Sequence, residues 1–134
     1  MFSNFQINTF VEDVEPCVSF YKAIGFEESY RTPTEGPAEH VEVRTLGLTL
    51  GIASTAAARD VHGLHVSSEG NAMELCLWCD DVDAAFGRML QAGARAVREP
   101  HDFQGGRLRT GWLLDPANNL LEVVQQRRGE GRRG

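Results

Sequence analysis

The stretch Asn8-Thr9-Phe10-Val11-Glu12-Asp13-Val14-Glu15-Pro16-Cys17-Val18-Ser19-Phe20-Tyr21-Lys22-Ala23-Ile24-Gly25-Phe26 occurs twice in the chain, in degenerate form. Its second copy is Cys76-Leu77-Trp78-Cys79-Asp80-Asp81-Val82-Asp83-Ala84-Ala85-Phe86-Gly87-Arg88-Met89-Leu90-Gln91-Ala92-Gly93-Ala94. Asp13 to Gly25 and Asp81 to Gly93 have the same spacing, and Val14 matches Val82. A repeat of this length fixes the architecture before any single element is considered. Each copy reads as strand, then helix. Ile7, Thr9 and Val11 alternate with Gln6, Asn8 and Phe10, the period of two that a strand requires. An Asp then stands at the helix start, where a carboxylate accepts a free backbone N–H and complements the dipole. Val14, Cys17, Val18, Tyr21 and Ile24 form one apolar stripe at helical spacing, and Val82, Phe86, Met89 and Leu90 form the other. Gly25 and Gly93 suit a left-handed cap.

Outward from each helix the strand period resumes. It covers Phe26–Arg31, His40–Thr45 and Leu48–Ala53 in the first unit, and Ala94–Arg98, Arg107–Leu114 and Asn119–Gln125 in the second. The expectation is an α+β fold of two tandem βαβββ units. The boundaries read as unit one over 5–54, a polar irregular linker over 55–72, unit two over 73–125 and a loose basic tail over 126–134, all within one domain of residues 1–134. Asp115-Pro116-Ala117-Asn118-Asn119 is a tight reversal before the last strand.

Composition narrows the function classes. The 134 residues suffice for one domain that folds without a disulfide or metal staple. Net charge is −6; the tail from Arg127 contributes +3, which leaves −9 on the body. An acidic body repels phosphate backbones, so nucleic-acid binding is disfavoured. Neither a membrane-length apolar run nor a secretory signal is visible, so a cytoplasmic protein is expected. Three cysteines, an odd number, suit a reducing compartment. Cys76-Leu77-Trp78-Cys79 matches C-x-x-C, but on a strand residues three apart point to opposite faces, which argues against redox or zinc use.

Two such units resemble the vicinal oxygen chelate superfamily, which includes glyoxalase I, the extradiol dioxygenases, and the fosfomycin- and bleomycin-resistance proteins. The most specific pieces are Phe20-Tyr21-(x3)-Gly25-Phe26 and Asp115-Pro116-(x2)-Asn119-Leu120-Leu121-Glu122-Val123. The resemblance covers Gln6 to Gln125. It implies that the sheets curl around a cup with the helices outside. It also implies four recurring metal-ligand positions, one on the first and one on the last strand of each unit. Carried onto this chain, they fall on Gln6, on Glu74, on Glu122 and on the strand Leu48–Ala53. The last strand offers Thr49, Gly51 and Ala53 toward the cup if Leu48, Leu50 and Ile52 pack on the helix, and no good divalent ligand in either register. The set reads Gln, nothing, Glu, Glu, without a histidine. His40, His62, His65 and His101 fall in loops or at strand edges.

Strand parity then says what lines the cup. Gln6, Asn8 and Phe10 share a face, as do Glu74, Cys76 and Trp78, and Leu120, Glu122 and Val124. Trp112 is expected beside Trp78, so both tryptophans of the chain face one cavity, where they stack on a planar ligand. Four polar groups on a buried face are costly without partners, which favours a site over plain packing. The Gly-hinged loop His101–Gly106 places Phe103 at the rim. The resemblance is closest in character to the metal-free, antibiotic-binding branch, whose members are dimers with sites between subunits. The expected function is therefore sequestration of a planar hydrophobic natural product or antibiotic by a homodimer. The ligand-binding residues would be Gln6, Asn8, Phe10, Glu74, Cys76, Trp78, Phe103, Trp112 and Glu122, with no cofactor, no catalytic residue and no bond made. The alternative is a metal-dependent glyoxalase-like lyase, isomerase or dioxygenase in which Gln6, Glu74 and Glu122 hold a divalent ion. A paralogue that binds nothing is a third reading.

Overall fold

The computed structural model describes residues 1, 6–67, 73–103 and 105–127, and of Phe103 the backbone alone. They form two compact units, divided between Glu69 and Gly70. The basic end of the tail, from Arg128, lies outside the described residues, as does Gln104. Each unit is a four-stranded mixed sheet with a helix on one face, so the architecture is α+β with two βαβββ-like units.

In the first unit β1 (Ile7–Val11) leads into α1 (Val14–Ala23), followed by β2 (Glu27–Thr32), β3 (His40–Thr45) and β4 (Leu48–Ser54). The strand order is β1-β4-β3-β2; β1 and β4 run parallel and the other pairs antiparallel. Val11, Val41, Val43, Leu50 and Ile52 are buried on the face covered by α1, against Val14, Cys17, Val18, Phe20 and Tyr21. Tyr21 meets Phe20 and Phe26 edge-on, with ring centroids 5.0 Å apart in both pairs. The buried stripe of α1 is thus wider than expected, through Phe20, and Ile24 becomes the C-cap. Pro16 sits in the first turn, where a missing N–H costs no helical bond. Asp13 enters the helix with extended backbone but makes no side-chain cap bond.

The stretch expected to be an irregular linker begins with a helix, α2 (Thr55–His62). Ser54 Oγ accepts the Ala57 N–H at 3.1 Å, three alanines follow, and Gly63 closes the helix at φ 66°. A Ser cap ahead of an alanine run is a helix-start signal that outweighs the segment's polarity.

In the second unit β5 (Glu74–Trp78) leads into α3 (Val82–Ala92), followed by β6 (Arg95–Phe103), β7 (Leu108–Leu114) and β8 (Leu120–Gln126), in the order β5-β8-β7-β6. Here the cap is made: Asp81 Oδ1 accepts the Ala84 N–H at 3.1 Å. Gln125 Oε1 accepts the Val82 N–H at 2.8 Å, a second partner for the free end of the helix. Val82, Phe86 and Met89 are buried, while Leu90 stays exposed. The expected loop from His101 is strand as far as Phe103, although two register shifts interrupt β6 on either side of Arg98. Pro100, which cannot donate to a ladder, lies in the second of them.

The reversal into β8 is organised by Asp115, which is fully buried. Its Oδ1 accepts the N–H groups of Ala117 and Asn119, both at 2.8 Å, and its Oδ2 accepts from Asn119 Nδ2 at 2.9 Å. Asn118 takes φ 70°, in the left-handed region that Asn tolerates. Among the described residues, no helix is long and apolar enough to cross a membrane.

Candidate functional site

In the second unit, α3 packs on one face of the sheet and leaves the other open. Gly111 marks the helix side: a Cβ there would come within 3.0 Å of the Phe86 ring. Its neighbours Thr110 and Trp112 therefore face the open side. Register carries that face across the sheet. Trp112 stands beside Glu122, and Glu122 beside Cys76; Thr110 stands beside Val124, and Val124 beside Trp78; Leu120 stands beside Glu74. Both tryptophans and both carboxylates thus share one face.

The side chains there bond one another. The Trp112 indole N–H donates to Glu74 Oε1 at 3.0 Å. Thr110 Oγ1, fully buried, donates to Glu122 Oε2 at 2.6 Å. Cys76 Sγ donates to Glu122 Oε1 at 3.5 Å. The His101 ring lies over Trp112, with centroids 6.1 Å apart and planes 29° apart. Glu122 at hydrogen-bond range pushes the Glu74 carboxyl above the usual carboxylate range; burial adds to this, and the Trp112 N–H opposes it. A proton is therefore held at Glu74 more tightly than at an isolated Glu. The face is only partly buried, where parity suggested a buried one: Thr110 and Val124 are buried, Glu74 and Cys76 exposed, and Trp78, Trp112 and Glu122 half-buried. The polar groups are tolerated here because they bond each other and meet water. Phe103, expected at the rim, ends β6, and its side chain is outside the described residues.

In the first unit the open face is built the same way. Asn8 lies beside Gly51, and Gly51 beside Glu42; Phe10 lies beside Ala53, and Ala53 beside His40. Gln6 Nε2 donates to Asn8 Oδ1 at 2.9 Å and to Glu42 Oε2 at 3.2 Å. His40 Nε2 lies 3.0 Å from the same Glu42 oxygen. The His40 hydrogen bond, against burial and with a further contribution from Gln6, holds the Glu42 carboxyl below the usual range. Gln6 and Asn8 are thus brought together with two residues that the site expectation omitted. The signal for them was the alternation His40-Val41-Glu42-Val43, whose two valines are fully buried.

The same register tests the four-donor metal set that the resemblance implied. Leu50 and Ile52 do face the helix, so Gly51 takes the position on β4 that Glu122 takes on β8. Gly51 offers no donor, and a Cβ there would collide with Asn8 Oδ1. The four-donor set therefore does not fit this chain. What the second unit offers is a group of three, Glu74, Cys76 and Glu122, whose ligand atoms lie within 4.8 Å of one another.

Residues 5–123 match the family model described as the Glyoxalase/Bleomycin resistance protein/Dioxygenase superfamily. No curated protein matches the chain. Among solved structures, the chain is similar to a glyoxalase-related enzyme from Fulvimarina pelagi, at 20% identity and TM-score 0.78 over 94% of this chain and 89% of that one. It is similar to TioX from Micromonospora sp. ML1, at 25% identity and TM-score 0.70 over 93% and 99%. It is also similar to the fosfomycin resistance protein FosX from Listeria monocytogenes, at 21% identity and TM-score 0.67 over 98% and 97%.

Proposed function

This chain belongs to the glyoxalase/bleomycin resistance protein/dioxygenase superfamily, and on that premise we propose that it binds a planar hydrophobic small molecule, a natural product or antibiotic, and breaks no bond in it. The observation that carries the proposal is the pairing of Trp112 with Glu74 on an open sheet face that also holds Trp78 and Glu122. A tryptophan fixed by its own N–H presents a flat plate at little entropic cost, and stacking adds about 0.5–1.5 kcal/mol beyond burial. The acidic pair beside it favours a ligand with a cationic group, as does the net charge of −6. The fold hosts both resistance proteins and enzymes, so the reading rests on the face and not on the likenesses.

Fluorescence titration against a panel of planar antibiotics tests it, since both tryptophans report on the face. Trp112→Ala is expected to weaken the best ligand about 10-fold or more, and Trp78→Ala less, by the stacking and burial each removes. Unchanged affinity in both variants would reject the proposal. The protein is expected to act as a cytoplasmic homodimer with its sites between subunits, which light scattering on the purified chain checks for the dimer. The proximity of Glu74, Cys76 and Glu122 favours one other reading, a metal-dependent lyase or dioxygenase. The two readings part at Glu122→Gln, which abolishes turnover in an enzyme and only weakens binding in a sequestering protein.

A further inference from the structure

The second register shift of β6 decides which side chain meets the tryptophan. Arg98 stands opposite Trp112 and His101 opposite Thr110, so three steps along β6 match two along β7. An uninterrupted strand would set Pro100 opposite Thr110 and turn His101 to the helix side. The extra residue reverses this. Thr110 and Trp112 face the open side, and His101 faces it with them. Bulges beside functional sites commonly re-aim one side chain in this way. The bulge also holds the ring that it aims: His101 Nδ1 donates to the Glu99 carbonyl oxygen at 2.9 Å, inside the shift. The imidazole comes to rest over Trp112, with centroids 6.1 Å apart and planes 29° apart, within the range of stacked aromatic pairs. β6 is an edge strand, and its ladder passes from Arg98 to His101 without a pair at Glu99 or Pro100. The ring is thus mounted where the ladder is interrupted.

We infer that His101 is a built-in occupant of the Trp112 plate, a gate that a planar ligand must turn aside before it stacks there. The inference rests on the ligand reading of this face and adds its regulation. A ring stacked on the indole fills the place that a ligand's ring would take. Only the molecules whose imidazole has swung away are then competent, and the apparent affinity falls by that fraction. Breaking such a stack lowers affinity by about 2- to 10-fold. The penalty is the same for every planar ligand, since the same imidazole contact is given up for each. It acts by occupancy, so a neutral ring is hindered as much as a cationic one. A histidine that instead touched the ligand would strengthen binding, and its removal would weaken it. The two roles differ in sign.

Two flat tricyclic probes, cationic proflavine and neutral phenazine, test it by fluorescence titration of the full chain. His101→Ala is expected to bind both about 2- to 10-fold more tightly than the wild type, by a similar factor. His101→Phe, which restores a ring over the indole, should bind neither more tightly. One measurement needs no variant. In histidine-labelled wild type, phenazine should move one of the four imidazoles downfield, toward the position of an exposed histidine, as that ring leaves the shielding of the indole. Unchanged or weaker binding in His101→Ala would overturn the inference. So would a gain for proflavine alone, which is the removal of a charge, or an imidazole signal driven further upfield, which is a ligand held between the two rings. In those cases the ligand reading of the face stands as long as Trp112→Ala still weakens the probes. Failure of both probes to bind the wild type and His101→Ala alike would reject that reading, and the gate with it.

Discussion

Glu74 holds the decisive proton of the second unit. Its carboxyl titrates above the usual range because Glu122 lies beside it. A folded-state value raised above the unfolded one means stability that is fully present below the ordinary Glu value and lost as pH rises through the raised value. The unfolding free energy of the wild type should therefore fall over that interval, and Glu74→Gln, which cannot ionise, should not follow it. Denaturant melts at several pH values, with the variant gaining on the wild type as pH rises, check this; parallel curves would contradict it. At this scale the sequence was half legible. Parity placed Trp78, Trp112, Glu74 and Glu122 on one face, because a strand's period leaves no freedom. It could not show that the indole N–H reaches Glu74 or that Thr110 reaches Glu122, since those bonds depend on rotamers. Nor did it single out His40 and Glu42, because the ligand position that the resemblance implies falls on β4, whereas these side chains stand on its neighbour β3.

The elements were legible where a repeat or a cap spelled them. Both βα junctions emerged from the Asp-Val pairs, although only Asp81 makes the bond that the motif suggests. The helix α2 was missed because its polarity looked like a linker's, while its information lay in one serine and three alanines. That makes Ser54 a test of how much a cap is worth here. Ser54→Ala removes the acceptor of the Ala57 N–H and should cost about 1 kcal/mol in chemical denaturation. Loss of α2 from protected amides in hydrogen exchange should accompany it, while α1 and α3 keep their protection. The irregularity of β6 was also unreadable: a proline inside a nine-residue strand argues for a loop, yet the ladder resumes beyond it at His101.

Across the whole molecule, charge and duplication set the behaviour. A net charge of −6 gives a field that draws cations in and screens out with salt. Stopped-flow quenching with a cationic planar ligand should show an association rate that drops several-fold from low to high ionic strength. A neutral analogue should be nearly unaffected; equal slopes for the two would remove charge from the account. Duplication made the architecture readable from one chain, since two imperfect copies of βαβββ constrain each other's boundaries. It did not make the halves equal: Gly51 and Glu122 hold matching positions in their sheets and supply opposite chemistry.

The close approach of Glu74 and Glu122 has a thermochemical consequence. A cationic ligand seated beside the pair competes with the proton held at Glu74, so at mildly acidic pH capture should expel acid into the medium. The heat measured on binding would then vary from one buffer to another, in proportion to what each buffer absorbs on taking up that proton. Glu74→Gln should make the heats coincide. A calorimeter would in this way count the hydrogen ion that Glu74 gives up.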